Sequence, residues 1–414
     1  MARNIVICSD GTGNSFRRHE SNVARAVQHL ALDDHDAQVV VYDQGIGTDD
    51  RRWQEIEHYA NTVSDRSALE VLHAPNESRF RPVEGASLVF GLAFGYGLAE
   101  NVRQMYQALA RLYDEGDHIF LFGFSRGAFT VRTLAGLLYR CGLPARDRHE
   151  DRRLFDRAWA LYQPMQPDRD AIARFLLAEH QRECRVRFLG VWDTVKSYGG
   201  LRPVMLPHLR HNPIVDTVRH AVALDEQRGW FDVTTWGRLD LDREPGAAWS
   251  RLSPSERAAI EGQDIAEVWF RGCHSDVGGG NGDAKTERIA LRWMFGEALT
   301  QGIGVSDVGR SLLAPSLEPE RAEIHESHTA AWRAVEVVPR LAIDNSGTWP
   351  RRVRAPAPNA RREPLKLMRN GRVAIHASVA ALEGIPTDKM VSVPTNDLAA
   401  LEGRSSFHRI SGAR

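Results

Sequence analysis

Short, almost wholly apolar runs recur along this chain, at Asn4 to Cys8, Gln38 to Tyr42, His118 to Phe122, Val186 to Trp192 and Ala266 to Phe270. Each is rich in Val, Ile, Phe or Trp and is soon stopped by Gly, Asp or Ser. Continuous rather than alternating apolar runs of this length are the mark of strands buried on both faces, which occur in parallel sheets. Between them lie stretches with apolar residues at helical spacing: Glu100 to Tyr113, Arg126 to Tyr139, Arg153 to Tyr162 and Thr286 to Thr300. The alternation predicts an α/β fold with a mostly parallel central sheet covered by helices on both faces.

Two regions depart from the alternation. Residues 202–261 carry five prolines with scattered Trp and Arg and read as a cap-like insertion. Met205, Leu206, Trp230, Phe231 and Trp236 are its apolar members, suited either to covering an acyl groove or to ordinary burial. From Leu312 the chain becomes Pro- and Arg-rich, so the expected division is residues 1–311 as the main domain and 312–414 as a C-terminal extension packed on it. Residues 350–372 hold eight Lys and Arg against one Glu. They read either as a solvated surface segment or as a patch for anionic headgroups.

Composition removes other classes. With 53 basic and 54 acidic residues, the chain of 414 lacks the overall positive field that non-specific nucleic-acid binding needs. The longest uncharged stretch, Gly85 to Ala99, is fifteen residues with four glycines, short of the roughly 20 apolar residues of a membrane-spanning helix. The N-terminus enters its first apolar run too soon for a secretory signal, and the expectation is a protein that is cytoplasmic in the producing cell. Four dispersed cysteines, Cys8, Cys141, Cys184 and Cys273, indicate buried thiols rather than disulfides or a zinc cluster. The pair His325 and His328 lacks any accompanying metal-binding pattern, and no metal or other cofactor is expected.

The reactive residues gather at strand ends. Gly123-Phe124-Ser125-Arg126-Gly127 is a GxSxG pentapeptide between an expected strand and an expected helix. That context turns a weak motif into a candidate nucleophile elbow, with Ser125 as nucleophile rather than an ordinary turn serine. Serine needs a base and an orienting acid, which follow it in sequence in hydrolases of this architecture. Asp193, ending the run Arg187 to Trp192, fits the acid; a strand-end residue capping its turn is the plainer reading. Of the later histidines, His274 sits just past the run Glu267 to Phe270 in a loop of small residues and fits the base. The amides of Arg126 and of Gly11 or Thr12 are the candidate oxyanion donors. Asp10 and Asp276 are candidate supporting acceptors; with Asn14 they are also a weak alternative cation site.

Five blocks together, CSDGTGN at Cys8, GFSRGAF at Gly123, FLGVWDTV at Phe188, ALDEQR at Ala223 and WFRGCHSDVGGG at Trp269, resemble one large α/β-hydrolase family that includes the type VI secretion phospholipase effectors of lipase class one. Val373 to Val379 is similar to a late motif of that family. Characterised effectors are commonly larger, and Asn281-Gly282-Asp283 stands where an aromatic residue is common in relatives. The resemblance implies a Ser-Asp-His triad on Ser125, Asp193 and His274 and hydrolysis of phospholipid acyl esters. It also implies peripheral membrane contact, export by a type VI secretion system and an immunity partner. A carboxylesterase acting on a small soluble ester, and an inactive hydrolase-fold binding protein, are the other readings.

Overall fold

The computed structural model describes residues 2–11, 20–44, 58–72, 87–195, 198–199, 202–204, 206–236, 252–281, 285–313, 324–329, 332–333, 340–342, 352–354, 362, 364, 373–376 and 390–393. Among them runs one sheet of nine strands. In chain order these are β1 (Asn4–Ser9), β2 (Gln38–Asp43), β3 (Leu69–Leu72), β4 (His118–Phe124), β5 (Val186–Trp192), β6 (Val215–Ala223), β7 (Asp264–Phe270), β8 (Val373–His376) and β9 (Met390–Val393). The spatial order is β9-β8-β7-β6-β5-β4-β1-β2-β3, and every neighbouring pair is parallel. The α/β-hydrolase-type expectation is met.

Burial on both faces explains the unbroken apolar runs. Ile5, Ile7, Val39, Val41, Ile119 and Leu121 enter one core cluster, while Val6, Cys8, Val40, Tyr42, Phe120 and Phe122 enter the other. Successive residues of a strand point to opposite faces, so each run feeds two cores at once. The helices α2 (Ser87–Leu112), α3 (Arg126–Cys141) and α4 (Arg152–Tyr162) cover the first face, and α1 (Asn22–His29) and α8 (Lys285–Thr300) the second. Between them in sequence stand α5 (Arg169–Ala178), α6 (Pro254–Glu261) and the one-turn α7 (His274–Gly278).

Three expectations need correction. Residues 202–261 are not a continuous cap, because they supply β6, which lies between β5 and β7 in the middle of the sheet. Its apolar run is interrupted by Arg219 and His220, which hid it. Both are buried: Arg219 bonds Glu297 at 2.5 Å and Asp264 at 2.6 Å, and His220 bonds Glu267 at 2.9 Å. A boundary at residue 311 also fails, since β8 and β9 extend the same sheet beside β7. Lastly, α2 begins at Ser87 rather than Glu100; the helix runs through glycines that each disfavour it by about 1 kcal/mol. Met205 lies outside the described residues. Leu206 and Trp236 belong to the core rather than to a lid.

The strand order reverses between β1 and β4. In parallel α/β sheets a crevice opens beyond the strand carboxyl ends at such a point, because the flanking connections leave to opposite faces. The residues singled out by the sequence, Asp10, Gly11, Ser125 and Asp193, all follow the carboxyl ends of β1, β4 and β5.

Candidate active site

β4 ends at Phe124 and α3 begins at Arg126, so one residue makes the whole turn. Ser125 stands there with φ 58° and ψ −116°, a conformation that costs a residue with a side chain on the order of 1–3 kcal/mol. Flanking small residues permit it. A Cβ on Gly127 would lie 2.1 Å from the Ser9 carbonyl oxygen and 2.6 Å from that of Asp10, so α3 can start against the end of β1 only through glycine. On Gly123 a Cβ would lie 2.7 Å from the backbone of Ala128.

Ser125 Oγ lies 2.8 Å from His274 Nε2, and His274 Nδ1 lies 2.6 Å from Asp193 Oδ2. The structure thus brings together the three residues expected to act jointly, from just beyond the ends of β4, β5 and β7. His274 opens α7 rather than sitting in an open loop. All three are buried. Asp193 Oδ1 also accepts the Ala223 amide at 2.9 Å, at the end of β6.

Electrostatics sort the pair. Burial pushes the Asp193 carboxyl up, but the charge of Arg362 and the hydrogen bond and charge of His274 outweigh it, holding the carboxyl well below the usual range. For His274, burial pulls the imidazole below its ordinary value against the opposing pull of Asp193. A neutral imidazole held on an ionised carboxylate can accept a proton from the adjacent hydroxyl.

Two supporting residues escaped the sequence reading. Glu226 is buried; its Oε2 accepts the His274 amide at 3.0 Å and Arg228 at 2.8 Å. Burial raises the Glu226 carboxyl, yet Arg228 and the neighbouring charges bring it down to about 2. Arg228 lies over the Phe231 ring at 3.7 Å, and that ring meets His274 edge-on at 4.8 Å. Phe124 flanks the imidazole at 4.6 Å. Glu226 lies within the ALDEQR block, a signal available but not assigned a role. Arg362 is the second. It bonds Asp193 Oδ1 at 2.5 Å and Oδ2 at 3.0 Å, and the carbonyls of Ala223 and Phe231 at 2.7 Å each. Nothing in the basic run around it distinguished it from its neighbours.

The supporting aspartates hold the loops. Asp276 accepts the Cys273 amide at 2.9 Å, the His325 amide at 3.1 Å, His325 Nδ1 at 2.6 Å and Asn281 at 2.5 Å. Asp10 Oδ2 accepts Ser21 at 2.7 Å and Tyr42 at 2.8 Å, while its Oδ1 takes the Gly11 amide at 2.6 Å. The Gly11 N–H is therefore committed to Asp10 in this conformation. Thr12 and Asn14 lie outside the described residues. Arg126 occupies the first position of α3, at the N-terminal end of the helix beside Ser125. Among the described residues no group of three or more His, Cys, Asp and Glu could hold a metal ion. All four cysteines are free and buried, and burial pushes Cys141 and Cys184 up to about 12 and Cys273 to about 11.

Residues 3–297 match the family model of the type VI secretion system (T6SS) phospholipase effector Tle1-like catalytic domain. The chain belongs to this family. It is also 30% identical over 240 residues to the uncharacterized protein YEL023C of Saccharomyces cerevisiae, covering 55% of this chain and 32% of the yeast protein. A crystal structure of an uncharacterized protein from Pseudomonas aeruginosa aligns over 74% of this chain and 46% of its own, with 19% identity and a TM-score of 0.38. The chain thus spans about a third of the yeast relative and under half of the bacterial one. Arg362 lies beyond the stretch that the Tle1-like family model matches. No described helix is long and apolar enough to cross a membrane.

Proposed function

We propose that this member of the Tle1-like family is a serine ester hydrolase that cleaves acyl esters of phospholipids. The observation that carries the reading is the continuous row from Ser125 Oγ through His274 to Asp193, at 2.8 and 2.6 Å, with Ser125 held at the tip of a one-residue turn. His274 Nε2 takes the Ser125 proton as Oγ attacks the ester carbonyl; Asp193 orients the ring and stabilises the imidazolium. The imidazolium then returns the proton to the leaving alcohol. Water, deprotonated by the same nitrogen, releases the acyl group and restores Ser125.

The Arg126 amide serves as one oxyanion donor, at the positive end of α3. Gly11 can serve as a second only by releasing Asp10, and Thr12 is its alternative. Each donor contributes about 2.7–4 kcal/mol to transition-state stabilisation, by analogy with measured holes. Family membership supports a phospholipid substrate, peripheral contact with a bilayer, export through a type VI secretion system and an immunity partner.

Incubation with mixed phospholipid vesicles, followed by mass spectrometry of the products, tests the reading. Wild-type protein releases fatty acid and lysophospholipid, and Ser125→Ala lowers the rate on the order of a thousandfold or more while remaining folded. Equal product from both proteins removes Ser125 from the chemistry. Hydrolysis of short soluble esters with no product from vesicles replaces the phospholipase reading by the carboxylesterase one.

A further inference from the structure

Residues beyond 312 reach the site at four places. His325 bonds Asp276, Ser327 donates to Glu226 at 3.2 Å, Trp332 meets Phe231 edge-on at 5.4 Å, and Arg362 bonds Asp193. Two of these contacts reach residues that touch His274 itself, Glu226 and Phe231, and the third reaches Asp276, which holds the Cys273 amide just before it. The fourth places a positive charge on the carboxylate that the imidazole uses. An acid that orients a histidine has two oxygens; here His274 takes one, and Arg362 spans both. The guanidinium is nearly buried, with 6% of its side chain exposed, so solvent screens it little.

We infer that Arg362 is a positioning residue that neutralises part of the Asp193 charge and thereby lowers the pH at which His274 becomes an active base. The inference rests on the reading of Ser125, His274 and Asp193 as one catalytic unit. Asp193 alone would favour imidazolium and leave more of the base protonated near neutrality. An arginine on the far side of the carboxylate disfavours imidazolium, because two positive charges then share one negative one. Of the other charges facing the pair, Arg228 lowers the imidazole pKa and Glu226 raises it. Glu226 and Arg228, from the loop after β6, form their own ion pair at 2.8 Å. From that same loop Asp232 acts on Arg362 through its charge. Phe124 and Phe231 present rings to the imidazole, and Ser125 is uncharged. Arg362 also ties its segment to the Ala223 and Phe231 carbonyls, so its loss has a structural effect that the test must separate.

The test compares wild type, Arg362→Gln, Arg362→Lys and Ser125→Ala by their labelling rate with a fluorophosphonate and by p-nitrophenyl butyrate hydrolysis, each followed from pH 5 to 9. The acid limb of either profile reports deprotonation of His274. Arg362→Gln moves the limb up by about one pH unit, the size expected when one nearby charge is lost. Arg362→Lys keeps a charge but not the two-pronged bridge, so its limb lies between the two. A limb that stays at the wild-type pH in folded Arg362→Gln, whatever its rate or melting temperature, overturns the inference and leaves a tether only. If Arg362→Gln does not fold, Arg362→Lys decides: a raised limb supports the assignment and an unmoved one overturns it. Labelling or turnover that persists in Ser125→Ala instead defeats the triad reading.

Discussion

Ser125 takes its position from residues close by in sequence: Gly123, Phe124, Gly127 and Ala128, with the end of β1 as the surface they pack on. Asp193 takes its from residues 30, 81 and 169 places away, namely Ala223, His274 and Arg362. One half of the site is a local turn and the other is assembled by the sheet. The two therefore fail differently. A change in the turn destroys backbone geometry, while a change around Asp193 leaves the backbone in place and alters charge and hydrogen bonding.

The largest combined loss of stability and activity is expected from Gly127→Ala. Its new Cβ would lie 2.1 Å from the Ser9 carbonyl oxygen, and backbone cannot step aside as a side chain can. Overpacking of this kind typically costs 1–3 kcal/mol and occasionally more, so a loss at the upper end, ~3 kcal/mol, is expected. The elbow also shifts from β1, with a fall in ester hydrolysis of roughly a hundredfold or more, the scale of an ångström-level misplacement. Urea unfolding and ester turnover measure both. A variant with wild-type stability and rate would show that the close approach of α3 to β1 is not what positions Ser125.

Glu226→Gln probes the assembled half and should be milder. The glutamine keeps the shape that receives the His274 amide but leaves Arg228 without its ion-pair partner. Neutralising one member of a buried pair while keeping its shape costs about 2 kcal/mol in stability, and activity falls by roughly tenfold. Its signature is the direction of the pH profile. Glu226 favours imidazolium, so its neutralisation moves the acid limb of kcat/KM down, opposite to the shift expected for Arg362→Gln. Limbs moving the same way in both variants would mean that packing, not charge, links these residues to His274.

The same contrast explains how much could be read in advance. The strands β1, β2, β4, β5 and β7, the elbow and the three residues that join at it were legible because each rests on a contiguous pattern, an apolar run followed by small or polar residues. β6 was hidden because its Arg219 and His220 find partners on α8 and β7, a satisfaction that no local window contains. β8 is only four residues long, and its place beside β7 follows from the sheet rather than from its composition. Arg362 looked like one more basic residue in a polar stretch, since the acid it meets lies 169 residues earlier.

The smallest effect, and the sharpest probe of the local half, is on stability alone. At φ 58° and ψ −116° Ser125 occupies a region that glycine visits readily and residues with a Cβ do not. Ser125→Gly and Ser125→Ala both remove the hydroxyl and its bond to His274, but only glycine removes the steric penalty. Relief of about 1–3 kcal/mol of strain is offset by the greater freedom of glycine in the unfolded chain, about 0.4–1 kcal/mol. The glycine variant should therefore be more stable than the alanine variant by roughly 1 kcal/mol, with both inactive. Urea unfolding of the two proteins side by side gives the difference without reference to the hydroxyl. Equal midpoints would mean that the turn accommodates a side chain at no cost, and that the glycines around it, rather than strain at Ser125, account for its shape.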